Sequence, residues 1–141
     1  LYLYKMMEDF IYEKHNVEYN EYLMHKVVNE LNIVNCPKII DYNIEKKILK
    51  MEKINNMSIS DFYGEKAENI SDEIFHKIRT IIMVLYNNGI VYPDITGYNF
   101  IELDDDIWII DFEHAHYIEE GTNDFVEKFI YGENNWNPDF L

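Results

Sequence analysis

The stretch from Ile90 to His116 does most to limit what this chain can become. It carries three polar residues at fixed offsets. Asp94 lies in a Pro-containing turn, Tyr92-Pro93-Asp94, that no regular element can hold. Asn99 follows five positions later, and Asp111 ends an apolar hairpin. That hairpin runs out along Phe100 to Leu103, turns at Asp104-Asp105-Asp106 and returns along Ile107-Trp108-Ile109-Ile110. The pattern predicts a loop carboxylate beside an amide and a second carboxylate at the hairpin's mouth. Hard oxygen donors so arranged suit a divalent cation on a phosphate tail, and the loop carboxylate can receive a proton from a hydroxyl. A solvated acidic hairpin of unrelated fold would satisfy the same pattern locally.

The order D-x-x-x-x-N, a strand pair and then Ile-Ile-Asp-Phe resembles the catalytic and metal-binding loops of the protein-kinase-like superfamily. The resemblance implies an α+β, two-lobed fold, here truncated. Residues 1–54 would form a small β-rich lobe with one helix, and residues 55–141 a reduced, mainly helical lobe. It also implies roles: Asp94 as catalytic base, Asn99 and Asp111 as magnesium ligands, ATP as the nucleotide. Two departures bear on function. Tyr92-Pro93 stands where protein kinases usually carry His-Arg, which removes the partner of a phosphorylated activation loop. Glu113 replaces the Gly of Asp-Phe-Gly, and without glycine's backbone freedom the loop should flip less easily. Asp-Phe-Glu is also similar to the variant in choline-kinase and aminoglycoside-phosphotransferase relatives.

The same resemblance organises the rest. Leu1 to Met7 reads as a strand carrying Lys5, the expected phosphate-contacting lysine, although an edge-strand surface lysine fits equally. From Val17 to Leu31, Tyr19, Tyr22, Leu23, Val27 and Leu31 recur at helical spacing. Glu18 and Glu21 share one face of that helix, and Glu21 is the preferred partner of Lys5. Residues 38–43 and 48–54 read as a hairpin. In the kinase-like reading Met51 is the gatekeeper, the backbone of Glu52 and Ile54 meets adenine, and Ile101 lines the same site. Ser58 to Tyr63 reads as a short helix. Ser71 then caps a longer one, with Asp72 and Glu73 in its first turn and Gly89 as its stop. Beyond the metal loop, residues 124–131 allow one helix, followed by the tail Asn134-Asn135-Trp136-Asn137-Pro138-Asp139.

Composition narrows the partners. A net charge of -15 over 141 residues argues against nucleic acid or an anionic membrane surface and permits a basic protein substrate. One cysteine, Cys36, rules out an internal disulfide and fits a reducing, cytoplasmic compartment. No stretch approaches a membrane span in apolar length. The chain opens on Leu1 and shows no Gly-rich loop, so an upstream segment is expected. His114 and His116 lack zinc spacing and read as exposed loop histidines. The leading function is a magnesium-dependent, atypical serine/threonine protein kinase. A small-molecule kinase and a nucleotide-binding pseudokinase scaffold are the alternatives, and a homodimer or partner protein could complete the substrate site.

Overall fold

The computed structural model describes residues 9–141. The strand expected over Leu1 to Met7, with Lys5, lies outside them. Strand β1 (Ile11–Lys14) and strand β2 (Ile39–Asn43) flank β3 (Ile48–Glu52) in an antiparallel sheet of order β1-β3-β2. The pleat of β3 turns Leu49 and Met51 inward, where they pack on Val17 with Tyr22, Ile39 and Tyr42 around them. Helix α1 (Tyr19–Leu31) connects β1 to β2 and ends at Asn32, whose left-handed backbone returns its N–H to the Val28 carbonyl. Asn29 ties this helix to β2: its Nδ2 reaches Cys36 Sγ at 2.9 Å and the Pro37 carbonyl at 3.0 Å, and its Oδ1 accepts from the Ile39 N–H at 2.8 Å.

After β3 the chain turns helical. Ser58 caps α2 (Ile59–Tyr63), and Ser71 caps α3 (Asp72–Asn87) by accepting from the Ile74 N–H at 3.2 Å. The inner face of α3 (Ile74, Phe75, Ile78, Ile82 and Leu85) is buried and forms the spine of the main core. Gly89 then turns the chain with φ of 82°, into β4 (Ile90–Val91).

The hairpin of β5 (Phe100–Leu103) and β6 (Asp106–Ile109) is tighter than its apolar run suggests. Asp104 and Asp105 alone make the turn, with φ of 51° and 67°, both left-handed as a two-residue hairpin turn of this hand requires. Asp106 therefore begins the return opposite Leu103, and Ile110 lies beyond the strand. β7 (His116–Tyr117) pairs with β4, and Asn123 caps α4 (Asp124–Ile130). Arg79, the chain's single arginine, holds α4 and the tail against α3. Its Nη1 donates to the Phe129 carbonyl at 2.6 Å and its Nη2 to the Asn134 carbonyl at 3.0 Å, over the Phe129 ring. Among the described residues no helix is long and apolar enough to cross a membrane.

Two packing details carry measurable consequences. His25 on α1 is 1% exposed, its ring tilted 39° against Phe112 at 4.8 Å, with Nε2 2.7 Å from the Pro37 carbonyl. A carbonyl only accepts, so Nε2 holds the proton of a neutral ring. Burial lowers its pKa from 6.5 to about 4, against the pull of the Pro37 carbonyl. Below about pH 6.5 the unfolded chain takes up a proton that the folded chain refuses. Stability should fall by up to about 3 kcal/mol between pH 6.5 and 4 on this account, then level off. Thermal melts across that range should show a flatter pH dependence in His25→Gln than in the wild type. Gly97 is the second detail. A Cβ there would lie 2.2 Å from Ser60 Oγ and 3.0 Å from the Ser60 backbone nitrogen. Gly97→Ala should therefore push α2 off the loop and lower stability by about 1–3 kcal/mol, read as a drop in the denaturant midpoint.

Candidate active site

The loop between β4 and β5 is fixed from three sides. Tyr92, 1% exposed, packs edge-on to Phe100 and Phe112 and donates its hydroxyl to the Asp111 carbonyl, joining the two loops from within the core. Asn99 Nδ2 donates to the Asp94 carbonyl at 2.8 Å, which commits its nitrogen and leaves the amide oxygen as the atom it can offer a cation. From the tail, Asn137 donates its N–H to the Ile95 carbonyl and its Nδ2 to the Pro93 carbonyl, each at 2.8 Å. Asn137 is 3% exposed, so these bonds are made away from water.

Three elements meet at one ammonium group. Lys14 Nζ, at the end of β1, lies 2.6 Å from Glu21 Oε2 on α1 and 3.2 Å from Asp111 Oδ2 after β6. Burial would lower the Lys14 pKa, but Asp111 and Glu21 outweigh it and the net shift is upward. Glu21 is also shifted upward, because burial exceeds the opposing pull of Lys14. Asp111 Oδ1 accepts from the Glu113 N–H at 2.9 Å, a local turn that accommodates Glu without a left-handed backbone. Carboxylate oxygens of Glu21, Asp111 and Glu113 lie within 4.8 Å of one another. Asn99 lines the same cleft as Asp111, and oxygen donors of this kind are hard and suit magnesium better than a softer metal.

Asp94 is almost wholly buried, and its Oδ2 lies 3.1 Å from His114 Nδ1. Burial raises its pKa, the His114 hydrogen bond opposes the rise, and the charge on Asp111 adds to it. The His114 ring rests 4.8 Å from the Phe140 ring.

Met51, Glu52, Ile54, Asn99, Ile101 and Asp111 line one cleft of about 380 Å³, as does Lys14, through which Glu21 reaches it. Asp94 lies outside that lining, bonded to Asn99. Lys5 is outside the described residues; among these, the lysine that meets Glu21 is Lys14, nine positions later. The register sets Lys14 opposite Leu49 at the inner end of β1. Glu18, the second choice on α1, faces outward and pairs with Lys47 at 2.8 Å. Sequence reasoning also missed the Tyr92 hydroxyl, the His114 contact and the Asn137 clamp. Of these only Tyr92 left a signal, as an aromatic in a motif position normally polar.

Known proteins resemble this chain in sequence and in fold. The RIO domain model matches residues 8–128. The EKC/KEOPS complex subunit BUD32 of Enterocytozoon bieneusi (strain H348) is 28% identical over 116 residues, covering 74% of this chain and 57% of that protein. The chain thus spans a little over half the length of this curated relative. Among solved structures, the Cydia pomonella granulovirus kinase PK-1 superposes with a TM-score of 0.59 at 18% identity, over 76% of this chain and 43% of that one. The Rio2 kinase-ADP/Mg2+-phosphoaspartate complex from Chaetomium thermophilum gives 0.54 at 14% identity, over 80% and 34%. Both likenesses extend the sheet, α1 and loop arrangement into a protein-kinase-like fold. The chain belongs to the RIO domain family, within the protein-kinase-like superfamily.

Proposed function

We propose that the protein transfers the γ-phosphoryl group of ATP to a hydroxyl, as an atypical serine/threonine protein kinase. The observation that carries this reading is the convergence of Lys14, Glu21, Asn99 and Asp111 on one cleft, with Asp94 bonded to its edge. Met51, Glu52, Ile54 and Ile101 would hold the adenine end. Lys14, steadied by Glu21, would take the phosphates, and Asn99 and Asp111 would hold magnesium. That ion, when bound, neutralises charge on the phosphate tail. Asp94 orients the acceptor hydroxyl and accepts its proton as the new oxygen–phosphorus bond forms; the bond to ADP breaks, and ADP leaves with the displaced electron pair. Because BUD32 is a subunit of a complex, we also infer that a protein partner helps to present the substrate.

Two expectations follow for binding and rate. Titration calorimetry should detect ATP only with magnesium present, and Asp111→Asn should abolish that binding; magnesium-independent binding of equal strength would refute the metal role. Asp94→Ala should keep ATP affinity and lose roughly 10²–10⁴-fold in phosphoryl transfer. If wild type binds ATP yet transfers nothing, the scaffold reading takes its place.

The acceptor class is tested by salt. Dispersed acidic charge should attract basic proteins, and that attraction weakens once the screening length falls to about 8 Å. Radiolabel from ATP should appear on histone or myelin basic protein and decline steeply with added salt. Label confined to choline or an aminoglycoside, and insensitive to salt, would refute the protein-kinase assignment.

A further inference from the structure

Asp94 is held by more than its own loop. A carboxylate can only accept hydrogen bonds, so the 3.1 Å contact from His114 requires the imidazole proton to sit on Nδ1. His114 follows the metal-binding triplet, yet its ring is not loose. Phe140 packs against it at 4.8 Å with the planes at 57°. Phe140 in turn belongs to the short turn Pro138–Phe140, which Asn137 caps by accepting from the Asp139 N–H at 3.1 Å. The same Asn137 side chain donates to the Pro93 carbonyl, next to Asp94. One buried amide thus fixes both the loop that bears the carboxylate and the turn that bears the ring.

We propose, resting on the phosphotransferase reading above, that His114 is a positioning residue for Asp94, with its ring set by Phe140 of the tail. The imidazole occupies Oδ2 and leaves Oδ1 as the oxygen that meets the acceptor hydroxyl. When Oδ1 takes the hydroxyl proton, the bond from His114 to Oδ2 is retained. The histidine therefore neither gains nor loses a proton in the step. Its contribution is to fix the rotation of the carboxylate, and misplacement of a reacting group by about 1 Å is enough to lose 10²-fold in rate. Tail and metal loop thereby become parts of one device around the base.

The variants to compare are His114→Ala, His114→Asn and Phe140→Ala, with kcat, KM for ATP, ATP affinity by calorimetry, and melting temperature. Asn carries a donor near the place of Nδ1, and Ala does not. His114→Ala should lower kcat about 10- to 100-fold with ATP affinity and melting temperature unchanged, and His114→Asn should restore most of the loss. Phe140→Ala should lower kcat in the same direction by less. Full kcat in His114→Ala, or an Asn variant as slow as Ala, would overturn the inference. A second measurement is independent of turnover. In nitrogen-15 spectra at about pH 8, where an ordinary imidazole is neutral, the wild-type His114 should be protonated on Nδ1 and should revert to the Nε2–H form in Asp94→Ala. An Nε2–H ring in the wild type would also overturn the inference. Should no protein, wild type included, transfer phosphate, the phosphotransferase reading fails while the spectra still decide the contact.

Discussion

One ammonium group holds the cleft together. Lys14 Nζ joins the sheet to α1 through Glu21 and to the hairpin through Asp111, so three elements distant in sequence share one charge. The net stability of such a partly buried pair is small, because desolvating the ions offsets much of their attraction. Its value is specificity of arrangement. Glu21 is 5% exposed, and among the described residues Lys14 is the cation that meets it, so losing the lysine would leave a buried carboxylate without that partner. The two contacts tie the end of β1 to α1 and to the end of the hairpin at once. Glu52 and Ile54 line the same cleft as Asn99 and Asp111.

A chain of net charge -15 gathers several carboxylates here with few cations to balance them. Glu21, Asp94, Asp111 and Glu113 lie close around Lys14 and His114. Burial is the main cause of the upward shifts at Glu21 and Asp94, and the charge of Asp111 adds to both.

The parts legible in the sequence were those with local signatures. The α3 stripe, its Ser71 cap, the Gly89 stop and the Asp94, Asn99 and Asp111 offsets all depend on neighbours within a few positions. The parts that were not legible depend on contacts across the fold. Lys14 is one of two lysines within the first fourteen residues, and only pairing with β3 singles it out. His114 meets Asp94 twenty positions away, and Asn137 meets Pro93 forty-four away. No periodicity encodes such distances. The two-residue turn at Asp104-Asp105 failed differently: three consecutive acids gave the right chemistry and left the register open by one residue.

The burial of α1 has a consequence for control. Tyr22 packs on the small cluster under the sheet, but Met24 and Val28 are part of the main core, and His25 packs against Phe112. In a kinase-like fold this helix is the natural lever, because swinging it outward parts the glutamate from the lysine. Here such a swing would expose Met24 and Val28, each stabilising by roughly 1.5–3 kcal/mol when buried, and would leave the Phe112 ring open to water. A helix built into the core cannot also serve as a cheap lever. Parting Glu21 from Lys14 by moving this helix would therefore open the main core.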